Sequence, residues 1–149
     1  MTTSATSTAT AERTATAAPA RNPLFSALIG LAALAVLLQG LWAGIFLEHD
    51  GERDAAQSWI DVHARGADVA ILLAALATVV ALWKLRQRKD LWIGSGLLTI
   101  VLIFESYIGG LIRDASKDTL TAVHVPLAML LMGLVVWLPL RAARGTSAR

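Results

Sequence analysis

The stretch LWIGSGLLTIVLIFESYIGGLI, residues 91–112, decides the fold, because it is long, almost entirely apolar and carries a single charged side chain, Glu105. A helix rises about 1.5 Å per residue, so about 20 apolar residues match the hydrocarbon core of a bilayer, which is about 30 Å thick. Three further runs have similar length and character. The sequence therefore predicts an all-α integral membrane four-helix bundle. The expected spans are about 24–47, 63–83, 91–112 and 119–140.

The composition agrees with this prediction, since 56% hydrophobic residues in a chain of 149 is too apolar for an ordinary soluble domain. The second run is the weakest, because it becomes free of charge only after Asp68. A soluble loop of this composition would expose too much apolar surface, so we interpret it as a span. The chain has no cysteine, which excludes disulfides, thiolate metal ligands and covalent c-type haem attachment.

The ends of the chain differ from the apolar domain between them. Residues 1–22 are rich in Thr, Ala and Ser, which predicts a disordered tail, and residues 141–149 form a short basic tail. Nine of the Lys and Arg residues lie in these tails and in the loop after the second span, while four lie on the opposite side with most of the acidic residues. Positively charged flanks stay in the cytoplasm, so the pattern predicts a multi-pass protein of the cell membrane with both termini cytoplasmic.

The same charge pattern restricts the possible partners. A basic inner rim is expected to meet the anionic headgroups of the lipid bilayer. The basic residues form short clusters next to the spans, without interleaved aromatic residues. Nucleic-acid binding is therefore not expected.

An internal repeat relates the two halves of the apolar domain. The first and third runs align at an offset of 66 residues, which places Gln39 on Glu105. The second and fourth runs align at an offset of 61 residues, which places His63 on His124. The difference of five predicts that the first outer loop is five residues longer than the second. Since alternate helices run in the same direction, the pattern predicts two parallel-repeat helical hairpins about an axis along the membrane normal.

This symmetry would place His63 and His124 at similar depth, near the outer ends of the second and fourth helices. Gln39 and Glu105 lie about two turns before the outer ends of the first and third helices, so they can reach nearly the same layer. Ionisable residues inside a membrane are costly and usually face the bundle interior. Two facing imidazoles can supply both axial nitrogens of one haem, which predicts a b-type haem held by His63 and His124. The alternative is that each ring contacts interfacial water.

Glu105 and four glycines extend this candidate site. A buried carboxyl must be protonated or hydrogen-bonded. Glu105 is therefore a candidate proton relay, a hydrogen-bond partner of Gln39 or Tyr107, or the lining of a watered cavity. The four glycines suit close helix packing or the close approach of a flat macrocycle: Gly40, Gly44, Gly109 and Gly110.

Arg65 and Arg113 are candidate partners of the haem propionates, because a guanidinium group matches a carboxylate and both lie on the outer side. The alternative is an ion pair with Asp68 or Asp114, or a solvated charge at the interface.

Four segments carry a resemblance to a known family. They are LLQGLWAG in the first helix, VHARGADVAILLAAL at the start of the second, IFESYIGGLI in the third and VHVPLAMLLMGLVVWL in the fourth, and together they cover most of residues 30–140. With these features the chain resembles one half of haem A synthase, a family built from a pair of four-helix modules. The resemblance implies that His63 and His124 are haem ligands.

The chain departs from that family in two respects. The family has eight spans, and many members have a cysteine pair in an outer loop, whereas this sequence predicts four spans and has no cysteine. The resemblance thus implies a haem-binding fold and does not imply synthase activity, and a homodimer would restore eight helices. The chain is also similar to small four-span membrane proteins of high-GC bacteria, which implies the same architecture.

Two functional hypotheses follow from the sequence. In the first, a haem b bound by His63 and His124 serves electron transfer to a membrane redox partner, or haem handling. In the second, a haem-free four-span protein has a structural, partner-binding or small-solute transport role, and His63, His124 and Glu105 line a polar cavity. The sequence identifies no catalytic residue.

Overall fold

The computed structural model describes residues 21–49 and 53–144, and nearly all of them are helical. The helices are α1 (Pro23–Glu48), α2 (Arg53–Lys84), α3 (Lys89–Ala115) and α4 (Thr121–Ala143), with a short 3-10 helix at Asp118–Leu120. All four are long and apolar enough to cross a membrane, which confirms the prediction of an all-α chain with four such helices. Most of the predicted N-terminal tail and the last five residues lie outside the described residues.

The four helices form a ring in which α1 and α3 each pack against both α2 and α4. The helices α2 and α4 therefore occupy opposite corners, and short connections make neighbours antiparallel. We call the end with Asn22, residues 85–88 and Arg144 the basic end. We call the opposite end, with His49 and residues 116–120, the histidine end.

Local sequence signals fix the helix boundaries. The side chain of Asn22 accepts a hydrogen bond from the backbone N–H of Phe25 (3.0 Å), and Pro23 occupies the first turn, where its missing N–H costs nothing. At the other end of the bundle, α3 stops at Ser116, whose φ of 50° is left-handed. This conformation ends a helix, since it cannot continue the right-handed ladder.

The helix α2 is longer than the apolar run that predicted it. It begins at Arg53, ten residues before His63. The sequence RDAAQSWIDV, residues 53–62, is polar, but its Ala, Gln and Arg residues favour a helix. Hydropathy detects only the part of a helix that suits lipid, so it misses such an extension.

This extension corrects the prediction of a longer first loop. Four residues, 49–52, separate α1 from α2, and five residues, 116–120, separate α3 from α4. The prediction of a first loop five residues longer is therefore wrong. Ten residues of α2 precede His63, whereas three residues of α4 precede His124. The additional residues of the first hairpin lie in a helix, because their side chains continue the helix rather than break it.

Buried apolar side chains form one cluster next to the basic end. The helix α2 contributes alanines alone to its fully buried part, and their small side chains allow close helix approach: Ala70, Ala74, Ala77 and Ala81. The cluster ends at Val36 in α1 and at Leu102 in α3, and it begins at Leu131 in α4. We call this part of the bundle the basic half and the remainder the histidine half.

The outer surface of the bundle is apolar on every helix. Leu34, Leu72, Ile100 and Met129, one on each helix, are all more than half exposed. Helices that are apolar on both their inner and outer faces suit a lipid environment, since water would not solvate such a surface. The surface is thus compatible with a multi-pass membrane protein.

An ion cluster joins the elements at the basic end. The guanidinium of Arg88 donates to both carboxylate oxygens of Asp90, through Nε (3.1 Å) and Nη2 (3.0 Å). Arg141 of α4 donates to the same carboxylate through Nε (3.1 Å). Arg88 also donates to the backbone carbonyl oxygens of Arg141 (2.8 Å) and Arg144 (3.2 Å). The α2–α3 loop is thereby fastened to the C-terminal end of α4.

Candidate functional site

The candidate site is a polar layer in the histidine half, to which each helix contributes one side chain: Gln39, His63, Glu105 and His124. His63 and His124 lie on the diagonally opposed helices α2 and α4. His63 bonds to Gln39 of α1, and His124 contacts Glu105 of α3. The four residues expected to share one layer therefore form two contacting pairs.

The ring of His63 is fixed by α1. Its Nδ1 lies 3.1 Å from the backbone carbonyl oxygen of Gln39, and only a donating N–H at Nδ1 makes this a hydrogen bond. The ring of Phe46 meets the imidazole edge to face, with centroids 5.5 Å apart. A hydrogen bond on one edge and an aromatic contact beside it hold the ring in one orientation.

The side-chain amide of Gln39 also bonds to α2. Oriented by its hydrogen-bond partners, it donates from Nε2 to the backbone carbonyl oxygen of His63 (2.8 Å) and accepts from the backbone N–H of Ala67 (3.1 Å). The same Nε2 lies 3.2 Å from Nδ1 of His63. The absence of a side chain at Gly66 permits this approach, because a Cβ there would overlap the Gln39 amide and the Trp42 ring. The first hairpin thus holds its histidine through backbone groups.

The ring of His124 is fixed by a side chain of α3. Its Nδ1 contacts Oε2 of Glu105, a residue that is only 5% exposed. Gly109 lies beside the ring, and a Cβ on it would be 3.5 Å from Cε1 of His124. Neither carboxyl oxygen of Glu105 nor Nδ1 of His124 has a hydrogen-bond partner in the described part of the chain. A buried polar atom without a partner is costly, so its place in the layer needs a functional explanation.

In both histidines Nδ1 is the ring atom that faces an oxygen of a neighbouring helix. It lies beside the Gln39 carbonyl in one ring and beside the Glu105 carboxyl in the other, and only the first contact is a hydrogen bond. A ring that donates from Nδ1 carries its lone pair on Nε2. Histidines that bind metals use this pattern, in which a carbonyl or carboxylate on one nitrogen sets the tautomer and orientation of the other. In both rings Nε2 is the nitrogen outside these contacts, and the two rings belong to helices at opposite corners of the bundle.

The partner of Glu105 differs from those that the sequence suggested. Glu105 forms no hydrogen bond with Gln39 or Tyr107 among the described residues, and Tyr107 is 63% exposed. Two residues along an α-helix turn the side chain through about 200°, so Tyr107 points away from the face that buries Glu105. The internal repeat aligns Gln39 with Glu105 and His63 with His124. A contact between Glu105 and His124 is therefore the equivalent of the contact between Gln39 and His63.

The two candidate arginines lie outside the hydrogen bonds of the polar layer. Arg113 donates to both carboxylate oxygens of Asp114, through Nε (2.6 Å) and Nη2 (3.0 Å). The ion pair with Asp114 is thus the alternative that the structure contains. Arg65 is exposed and forms no ion pair with the residues described, Asp68 included.

The sequence did not identify the aromatic and glycine contacts of the first hairpin, made by Trp42, Phe46 and Gly66. Gly66 follows His63 by three residues and so shares its helix face, which is the signal that identifies it. Among the described residues, no group of three or more His, Cys, Asp or Glu side chains could hold a bare metal ion.

No family model matches the chain, and comparisons with curated proteins and with solved structures give no match. The resemblance to haem A synthase therefore stays a prediction from the sequence, and the functional proposal depends on the geometry of the polar layer.

Proposed function

We propose that the chain is a multi-pass protein of the cell membrane that binds one b-type haem between His63 and His124. The observation that carries this proposal is that Nδ1 of each ring faces an oxygen of a neighbouring helix, which leaves Nε2 as the nitrogen for a ligand. A porphyrin supplies four ligands itself and needs only two axial ones from the protein. A site with two histidines, and without a cluster fit for a bare ion, suits this cofactor.

The structure of the histidine half supports the same proposal. The buried apolar cluster occupies the basic half, and α1 beyond Val36 and α4 before Leu131 contribute nothing to it. Ile108 and Ala56 are buried in this region outside that cluster. A flat apolar cofactor held at the histidine end would add packing surface to this region. Arg65, which is exposed there, is the arginine we assign to a propionate.

Each residue of the layer has a distinct role in this proposal. His63 and His124 are the ligands, and Gln39 and Glu105 are positioning residues that set the tautomer and orientation of the two rings. A haem held by two histidines supplies one-electron transfer. The function we propose is electron transfer with a membrane redox partner or haem handling, in a homodimer that brings eight helices together.

We also propose that the basic end faces the cytoplasm. The basic side chains of Lys84, Arg86, Arg88, Lys89, Arg141 and Arg144 lie at this end of the bundle. Trp83 and Trp137 lie there as well, and the Lys84 ammonium stands 4.1 Å from the centroid of the Trp83 ring. Tryptophan and basic residues together are typical of the cytoplasmic interface. The two repeats are then parallel hairpins, and the haem lies in the outer half.

Absorption spectroscopy of the detergent-purified protein, from cells supplied with haem, tests the proposal. We expect a Soret band, a reduced-minus-oxidised spectrum of the b type and about one haem per chain in a pyridine haemochrome assay. His63→Ala and His124→Ala should each lose this band. His49→Ala is the matched control, because His49 bonds through Nδ1 to the carbonyl oxygen of Ile45 (2.8 Å) at the end of α1 and should leave the band unchanged.

Two results would overturn the haem proposal. One is a colourless wild-type protein whose circular dichroism shows a folded helical chain and which takes up no added hemin. The other is a Soret band that survives both histidine substitutions. A colourless folded protein would favour the alternative function, in which the polar layer lines a cavity for a small solute.

A further inference from the structure

We infer that the groove between α3 and α4 is a binding site for one anionic phospholipid at the basic end. This inference rests on the membrane part of the proposed function and is independent of the haem. The groove has a volume of about 480 Å³, and the side chains and glycines that line it include Ile93, Gly94, Leu97, Leu130, Gly133 and Trp137.

The floor of the groove suits an acyl chain. Gly94 is buried against α4, since a Cβ there would lie 2.7 Å from the Trp137 ring and 2.8 Å from Leu138. Gly133 is exposed, and a Cβ on it would meet no atom within 4 Å. Apolar side chains rise on both sides of these glycines. A narrow apolar channel that faces lipid and lacks side chains along its floor accommodates a hydrocarbon chain.

The end of the groove suits a phosphate. Asp90 closes it there, and Arg88 and Arg141 hold that carboxylate. Arg88 donates to Asp90 and to backbone carbonyl oxygens, whereas Nη1 of Arg141 donates to no described atom. The Arg141 side chain is 41% exposed, and its guanidinium carbon lies 5.9 Å from the centroid of the Trp137 ring. A free, oriented N–H donor therefore stands where the apolar channel ends.

The charges around this point select an anionic headgroup. Arg88, Lys89, Arg141 and Arg144 carry positive charge at the basic end of α3 and α4, and Asp90 is the acidic residue among them. The net charge of these residues is positive even after the negative charge of Asp90 is counted. Basic pockets between transmembrane helices bind the phosphates of anionic lipids in this way. A zwitterionic headgroup would bring an ammonium group into the same positive field.

Thermal unfolding in detergent micelles, with and without added lipid, tests the inference. We expect phosphatidylglycerol to raise the Tm by about 5 °C or more at saturation and phosphatidylcholine to leave it nearly unchanged. Gly133→Leu should abolish the shift by filling the channel. Gly30→Leu is the matched control, because it adds the same side chain to an exposed glycine of α1 that has no atom within 4 Å of a new Cβ. It should retain the shift.

A second variant keeps the inference falsifiable if the filled groove affects folding. Arg141→Gln removes the free donor while the bidentate Arg88 and Asp90 pair remains, and it should reduce the phosphatidylglycerol shift at least threefold. The inference is overturned if both lipids give equal shifts, or if Gly133→Leu and Arg141→Gln respond like the wild type. It is also overturned if lipid has no effect and Gly133→Leu converts a dimer to a monomer. The absorption spectrum of each sample reports on the haem separately.

Discussion

The two halves of the bundle use their interiors differently. The basic half buries a continuous apolar cluster, in which the fully buried residues of α2 are all alanines, and the arginine and aspartate cluster fastens its end. The histidine half buries Glu105 and contains the paired rings of His63 and His124. The same four helices therefore serve apolar packing in one half and polar contacts in the other.

This difference shows where stability and function reside in the chain. Polar groups inside a membrane bundle contribute little net stability, because their contacts compete with the cost of burying them. Close apolar packing is the main source of stability between helices that lie in lipid. We infer that the basic half holds the fold, and that it allows the histidine half to keep a costly carboxyl in place.

The comparison predicts the largest loss of stability in the basic half. Leu98→Ala should lower the free energy of unfolding by about 2–5 kcal/mol, because Leu98 is fully buried and the bundle cannot close the cavity. The control Ile100→Ala changes a side chain on the outer surface of the same helix and should change that free energy by about 0.5 kcal/mol or less. Unfolding in mixed micelles measures both, and equal losses would contradict the comparison.

A smaller loss of stability is expected at Gly66, where α2 packs closely against α1. Gly66→Ala should lower the free energy of unfolding by about 1–3 kcal/mol, since the new methyl group overlaps the Trp42 ring and the Gln39 amide. Gly110→Ala is the control, because a Cβ there meets no atom within 4 Å, and it should be neutral or stabilise by up to about 1 kcal/mol. The same unfolding assay distinguishes them. A neutral Gly66→Ala variant would show that this contact is loose.

The smallest expected effect is the coupling energy between each histidine and its partner residue, measured on the haem-free protein. A double-mutant cycle of Glu105→Ala and His124→Ala should give a coupling energy of about 1 kcal/mol, because their contact joins two side chains. The cycle of Gln39→Ala and His63→Ala should give a smaller value. Two of the three contacts between those two residues include a backbone group, which the substitutions retain, and the side-chain contact of Nε2 with Nδ1 is the longest at 3.2 Å. A larger coupling in the Gln39 cycle would refute this distinction.

The sequence predicted the helices well because apolar length is a local property. A run such as 91–112 needs no partner to identify it as a span, and the structure has a helix over it. The polar start of α2 escaped prediction because helix propensity without hydropathy does not distinguish a helix from a loop. The difference of five residues between the two hairpins was predicted to lie in a loop, whereas the structure has the additional residues in α2.

The sequence proposed the members of the candidate site but did not give their contacts. Intramembrane position and the repeat selected His63, His124, Gln39 and Glu105, and the structure joins them in two contacting pairs. The contact of Glu105 with His124 depends on how α3 and α4 are rotated against each other, which sequence spacing does not give. The ion pair of Arg113 with Asp114, by contrast, joins adjacent residues, and the sequence had named it as an alternative.

The bonds of Arg88 have a consequence for the order in which the chain assembles. This residue lies in the short loop between the hairpins, yet it donates to carbonyl oxygens of Arg141 and Arg144, more than fifty positions further along the chain. A chain made from its N-terminus has no such acceptors until its last helix has entered the bundle. The turn at the centre of the polypeptide therefore reaches its final form only after synthesis is nearly complete.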